Sequence, residues 1–356
     1  MISEVCSGVK VFASWACLVW ILACTGCDAL QSVNKDKAEE TVSTPPPPPP
    51  SAAPTVMAPP PRVLTPQEII DAFLALPNTE KRDEHLAQLA GLTEGLDAIT
   101  TLDLSRSGVS DEGMKSLTAF PQLTELNLSE TRVSNVGLAS VAEAKSLRKL
   151  TLATLRAVDD LGIQNLIPLK DLEELTIAAC PVTDAILPTL AKFEGLQILR
   201  LTGCPDLYGR GFKVVLDKKA FRNLRELNVS GTNFGNYGMD QLNKLPKLEV
   251  LRAVRCGYAG ASIQGLMGCD ELKVLDLSGN NFFDDNMKVV GRLKNLEELR
   301  LAQILTLSGE CLNSIKLLKQ LKLLELEGTK ITQPEIELLK KMFLKETEIL
   351  ALGQKF

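Results

Sequence analysis

Catalysis would need a nucleophile, a base or a metal ligand, and the chain offers few arrangements of them. Among its 356 residues there is one histidine, His85. A single imidazole rules out most histidine-ligated zinc sites, most triads and most general bases that work near neutral pH. His85 itself reads as a solvated helix residue. Ser146-Leu147-Arg148-Lys149 has the S-x-x-K spacing of a lysine-activated serine, but no Lys-Thr-Gly follows. The glycine-rich run from Gly257 through Gly260 to Gly265 lacks the Gly-Lys-Ser/Thr ending with which a phosphate loop reaches terminal phosphates. Asp111, Asp184 and Asp284 each stand just before a glycine or a helical stretch, where a carboxylate caps exposed amides; they are read as caps and not as calcium ligands. The expectation is a protein with no catalytic residue, no metal and no cofactor.

The elements around these residues begin with an export signal. Met1 to Lys10 is weakly basic, and Val11 to Ala23 is an apolar run too short to span a bilayer comfortably. The stretch Ile21-Leu22-Ala23-Cys24-Thr25-Gly26-Cys27 resembles the bacterial lipoprotein box. That resemblance implies a diacylglycerol on one cysteine and an exported, membrane-anchored protein facing the periplasm or the cell surface. Thr25 and Gly26 favour Cys27, since Cys24 would have bulky Leu22 two places before it; an ordinary cleaved signal is the alternative. From Asp28 to Arg62 a polar stretch leads into Pro45 to Pro50 and Pro59 to Pro61, which read as a stiff polyproline stalk. The domain division is therefore 1–27 signal, 28–62 stalk, 63–91 helical cap and 92–356 repeats.

Thr65-Pro66-Gln67-Glu68 has a capping threonine, proline at the first helical position and glutamate at the third, so a helix is predicted from Pro66 to about Leu76. A second is predicted over Asn78 to Ala90, closed by Gly91, with Leu86 and Leu89 buried. Two such helices suit the open apolar end of a solenoid. Beyond them the motif L-x-x-L-x-L starts at Ile99, Leu123, Leu147, Leu172, Leu196, Leu224, Leu248, Leu272, Leu296 and Leu321, with a partial copy near Thr347. The alternating leucines read as one face of a short strand, and the following V-x-x-x-G-L-x-x-L has helical spacing. One copy cannot bury its leucines; stacked copies can. With 45% apolar residues but only 4% aromatic ones, the core must be aliphatic.

From about Leu92 to Leu352 the sequence thus resembles the leucine-rich-repeat family, in particular bacterial members carrying T-x-V-[ST]-D-x-G-[LM]. The resemblance implies an α/β solenoid, with a curved parallel sheet inside and short helices outside. Position nine of each copy holds Ser107, Thr131, Leu155, Cys180, Cys204, Thr232, Cys256, Asn280, Ile304 and Thr329, the family's small-polar or thiol ladder that satisfies backbone groups where the chain leaves the strand. Cys180, Cys204 and Cys256 are expected reduced, with a Cys180–Cys204 disulfide as the competing outcome. The longest copy, from Leu196 to Leu224, should bulge on the outer face around Pro205 to Phe221.

A protein-binding scaffold is the function expected of these features. Position five lies between two inward leucines and must point out, which aligns Arg200, Asn228, Arg252, Asp276 and Arg300 on the concave face with Arg255 nearby. Three arginines against one acid suggest unpaired donors suited to a protein partner, an acidic one by preference. The early column, Asp103, Asn127, Thr151 and Thr176, has no such donors. A net charge of −5, with both signs interspersed, argues against nucleic acid. A cytosolic F-box-like adaptor is disfavoured by the export signal, and a glycan-binding envelope role by the lack of Trp or Tyr in the column; a mainly structural envelope component is the remaining alternative. The protein is expected to be a monomer.

Overall fold

The computed structural model describes residue 62 and residues 64–356; the expected signal, lipid site and most of the stalk lie outside the described residues. The first helix, α1 (Pro66–Ala75), starts where expected, with the Thr65 Oγ1 accepting from the Glu68 N–H and the Glu68 carboxylate accepting from the Thr65 N–H. The second is shorter than expected. A 3-10 turn (Asn78–Glu80) is followed by extended backbone at Lys81 and Arg82, and only then by α2 (Asp83–Ala90). The break is local chemistry: the Arg82 N–H donates to His85 Nδ1 at 3.0 Å, so His85 serves the helix start instead of facing only solvent. Leu86 and Leu89 are fully buried, as the sequence implies, together with Ile70 and Phe73.

Each copy then contributes one short strand. These are β1 (Thr101–Asp103), β2 (Glu125–Asn127), β3 (Lys149–Ala153), β4 (Glu174–Ala178), β5 (Ile198–Thr202), β6 (Glu226–Asn228), β7 (Val250–Arg252), β8 (Val274–Asp276), β9 (Glu298–Arg300), β10 (Leu323–Glu325) and β11 (Glu348–Ala351). They pair in strict chain order and in parallel, forming one sheet. The register is repeat on repeat, so Leu102 opposes Leu126 and Leu275 opposes Leu299. The leucines of positions four and six are therefore stacked into one continuous column that is almost wholly excluded from solvent. Copies alternate strand with one or two turns of α or 3-10 helix on the other side of that core.

One feature ends the array that the motif does not foretell. A last strand, β12 (Gln354–Lys355), turns back antiparallel on β11 through Leu352 and Gly353, both left-handed at φ 54° and 72°. That pairing occupies part of the terminal strand's free hydrogen-bonding edge, which would otherwise template association. Left-handed backbone also recurs inside the array at position eight, where non-glycine residues such as Arg106, Glu130, Ala179 and Arg255 alternate with Gly203, Gly231, Gly279 and Gly328. Position nine follows this bend; where it is Thr, Cys or Asn its side chain answers the carbonyls that the bend exposes, whereas Ser107 accepts from the Val109 N–H and Leu155 and Ile304 depart from the pattern as buried apolar side chains.

The threonines of the ladder do so directly. Thr131 donates to the Leu128 carbonyl at 2.7 Å, Thr232 to Val229 at 2.6 Å and Thr329 to Leu326 at 2.8 Å. Cys256 Sγ lies 3.0 Å from the Val229 carbonyl of the preceding copy, Cys180 and Cys204 face Leu152 and Ile177 in the same way, and all three thiols also reach the carbonyl two residues back in their own copy. Cys180, Cys204, Cys256, Cys269 and Cys311 are all buried free thiols. Burial pushes the Cys204 and Cys256 thiols up to about 11 and those of Cys269 and Cys311 to about 12, so they stay protonated and weakly nucleophilic.

The aspartates read as caps do cap amides, but in the next copy and not their own. Asp111 accepts from the Ser134 N–H (2.7 Å), the Ser134 hydroxyl (2.6 Å) and the Gly137 N–H (3.0 Å). Asp83, Asp160 and Asp284 hold Ser110, Thr183 and Ser308 likewise. Each acid sits at the first turn of its own helix, one residue past the N-cap, and reaches sideways to the N-cap of its neighbour. The stack is thus tied by charge-assisted hydrogen bonds along one edge as well as by the sheet.

Candidate binding surface

The outward residues of β5 to β9 come from positions three and five, which alternate with the buried leucines on each strand. Strand pairing brings the predicted column together: Arg200 opposes Thr176 and Asn228, Asn228 opposes Arg252, Arg252 opposes Asp276, and Asp276 opposes Arg300. The expectation that its arginines stand unpaired is overturned. Arg200 donates to Glu226 through Nε at 2.8 Å and also to Glu174 through Nη1. Glu226 is shared with Arg252, whose Nη1 stands 3.3 Å from it, and Arg300 meets Glu298 at 3.3 Å and Glu325 at 3.9 Å.

These glutamates occupy position three of their own or a neighbouring copy, except Glu325 at position five. The reading confined to position five left position three out of the charge balance. Asp276 does not neutralise the arginines either; its Oδ1 accepts from the Ser278 N–H at 3.1 Å, and Asn228 Oδ1 holds Ser230 at 3.0 Å. Burial opposes the charge on Arg200, but the hydrogen bonds it donates to Glu226 and Glu174 more than offset it and raise its pKa. A second ladder runs beside the first at position two, where Arg148 pairs with Glu173 and Glu249 is shared by Arg225 and Lys273. Arg255 is exposed at position eight with its stem over Gly279, where an added Cβ would lie 2.6 Å from Arg255 Cγ.

The face is consequently a charge-balanced lattice. It still has recognition capacity, because a guanidinium has five donors. Arg252 engages one of them, at 3.3 Å, and Arg200 two, so both keep N–H groups for a ligand while their carboxylates orient the planes.

Sequence reading missed a second exposed group, in the loop that follows β5. Where the longest copy leaves its strand, Tyr208, Gly209 and Arg210 donate three backbone N–H bonds to the Asp184 carboxylate at 2.8, 2.7 and 3.0 Å. The loop so fixed presents Arg210 over the exposed rings of Tyr208 and Tyr237, at 4.9 and 6.0 Å from their centroids. Aromatic and arginine side chains are the types that dominate interface energetics. The irregular length of that copy was the only local signal.

Parallel strands and short helices repeating in register define a repeat solenoid, and comparison identifies the kind. A family profile described as leucine-rich repeat matches residues 99–117. An internalin from Listeria monocytogenes shares 20% identity at a TM-score of 0.54, over 75% of this chain and 76% of that one. A toll-like receptor, TLR13, solved in complex with the RNA ssRNA13, is 20% identical at a TM-score of 0.51 over 77% of this chain but only 38% of its own length. A Leptospira interrogans leucine-rich-repeat protein is also 20% identical, at a TM-score of 0.46 over 77% and 80% of the two chains. The fold is that of a leucine-rich-repeat solenoid. Among the described residues no cluster of three or more His, Cys, Asp or Glu is arranged to hold a metal ion, and no helix is long and apolar enough to cross a membrane.

Proposed function

We infer that this protein is a non-catalytic, exported scaffold, tethered through an acylated Cys27, that binds a protein partner on its open sheet face. The observation that carries the binding site is the in-register column of Arg200, Arg252 and Arg300, each oriented by glutamates and still carrying free donors. A surface of alternating sign suits a partner of mixed charge better than a uniformly acidic one. Tyr208, Arg210 and Tyr237 extend the contact beyond the strands. The apolar run Val11 to Ala23, the lipobox-like stretch to Cys27 and the proline-rich segment support the location.

Two measurements test this reading separately. In a pull-down from solubilised membranes, Arg252→Ala with Arg300→Ala should weaken partner capture about tenfold or more, the loss of one or two interfacial arginines. The same pair should change folding stability by less than about 1 kcal/mol each, since these ion pairs are partly exposed. Unchanged capture would remove the column from the site. Mass spectrometry of the mature N-terminus should find diacylglycerol on Cys27; an unmodified terminus after signal removal would end the lipoprotein reading, and acylation of Cys24 would move the site.

A further inference from the structure

The longest copy departs from the repeat at one more place. Of the described non-glycine residues with left-handed backbone, six sit at position eight and Leu352 sits in the terminal hairpin; the remaining two are Lys219 (φ 64°) and Phe221 (φ 58°). Both lie in the turn that follows the helix Phe212–Asp217 and precedes β6. Strained backbone persists only where the surroundings impose it. Here the cause is the buried Phe221 ring, which stacks on Phe212 at 6.0 Å while Phe212 stands edge-on to Phe234 at 5.0 Å. The anchor holds the turn Lys218 to Arg222 in one shape and leaves Lys219 and Arg222 exposed.

These residues line an open cleft of about 800 Å³ between this copy and the next, bounded by Leu216, Asp217, Asn223 and Pro246 and by the cations Lys219, Arg222, Lys244 and Lys247. Asp217 is the one acid in the lining, and it is paired with Lys244. Lys247 is held by the neutral Asn223 Oδ1 at 2.8 Å, while Lys219 and Arg222 have no ion-pair partner among the described residues. These three cations outnumber the one further carboxylate near them, Glu194, which lines the adjoining clefts with them and makes no ion pair among the described residues, in a protein of net charge −5. The carbonyl end of the short helix opposes an anion with roughly half an elementary charge, which three cations outweigh. A single carboxylate would leave most of that charge unmet. A phosphate group carries close to two charges and three acceptor oxygens, and it accepts the planar guanidinium fork and lysine ammonium together.

We propose that this cleft, built by Lys219, Arg222 and Lys247, is a binding site for a phosphate-bearing ligand with at least two negative charges. It is separate from the sheet face and does not depend on a protein partner there. The ligand chemistry has two sources, a free phosphate compound and a phospholipid headgroup, and soluble probes separate them.

Calorimetric titration of the full-length protein with inorganic pyrophosphate should show saturable binding. Lys219→Gly with Arg222→Gln should weaken it about tenfold or more, the loss of charge-assisted contacts. Glycine suits the left-handed backbone at 219, so the variant keeps its fold, which circular dichroism checks. Lys316→Ser with Lys319→Ser, an equal loss of charge at another turn, should bind as the unaltered protein does. Dihexanoyl phosphatidic acid, a soluble lipid whose monoester headgroup carries close to two charges, binding as tightly as pyrophosphate would identify the source as a lipid headgroup, and weaker binding a free phosphate compound. Absence of binding to both probes, equal loss in the two variant pairs, or citrate binding as tightly as pyrophosphate would overturn the proposal.

Discussion

Gly265→Ala should destabilise the protein by about 3–5 kcal/mol, at the upper end of single-substitution effects. An added Cβ would lie 1.9 Å from the Met239 carbonyl oxygen and 2.7 Å from the Asp240 Cα, atoms of the preceding copy's backbone. Neither can move without displacing that copy, because Met239 ends the helix Gly235–Met239 and its side chain is fully buried. Gly257→Ala is the comparison within the same glycine-rich run. It meets nothing within 4 Å, so its cost should be limited to the left-handed φ of 68°, about 1–2 kcal/mol. Chemical denaturation of both variants decides the matter, and similar losses would mean that the close approach of the copies is not what Gly265 provides. The run that resembles a phosphate loop in composition is thus there to bring two copies together.

Asn280→Ala should cost about 3–5 kcal/mol for a different reason. Asn280 is nearly fully buried and answers four backbone groups at once: its Oδ1 accepts from the Cys256 N–H (3.0 Å) and the Tyr258 N–H (3.2 Å), and its Nδ2 donates to the Ala253 and Leu277 carbonyls, both at 2.7 Å. Alanine would leave these groups buried without partners, in two adjacent copies. Threonine, as at Thr232, can answer the carbonyl of its own copy but cannot reach both sides, so Asn280→Thr should recover only part of the loss. Because stability in a solenoid is a sum of copies and their interfaces, the alanine variant should also broaden or split the unfolding transition. A loss below about 1 kcal/mol would show that water replaces the amide.

Asn280 also marks how far the sequence could be read. Its place in a ladder followed from the phase of the leucines, and its small polar type followed from the need to satisfy a bend. The number of partners did not, since three of the four belong to the preceding copy. Asp111 repeats the lesson: a carboxylate at a helix start was correctly read as a cap, but the amides it caps are 23 and 26 residues away. The column at position five likewise faces outward in register, while its charge balance was misjudged because Glu174, Glu226 and Glu298 enter from position three.

By itself the sequence determined the repeat, the buried leucines, the outward positions and the ladder, because all of these follow from a local period of burial carried within each copy of about 24 residues. Tertiary structure alone decided what depends on contact between copies. It selected which arginine meets which glutamate, reached across copies for the caps, anchored the strained Lys218 to Arg222 turn on Phe212, and folded β12 back on the last strand. Those outcomes depend on side-chain reach and register between residues distant along the chain, which no period of one copy contains.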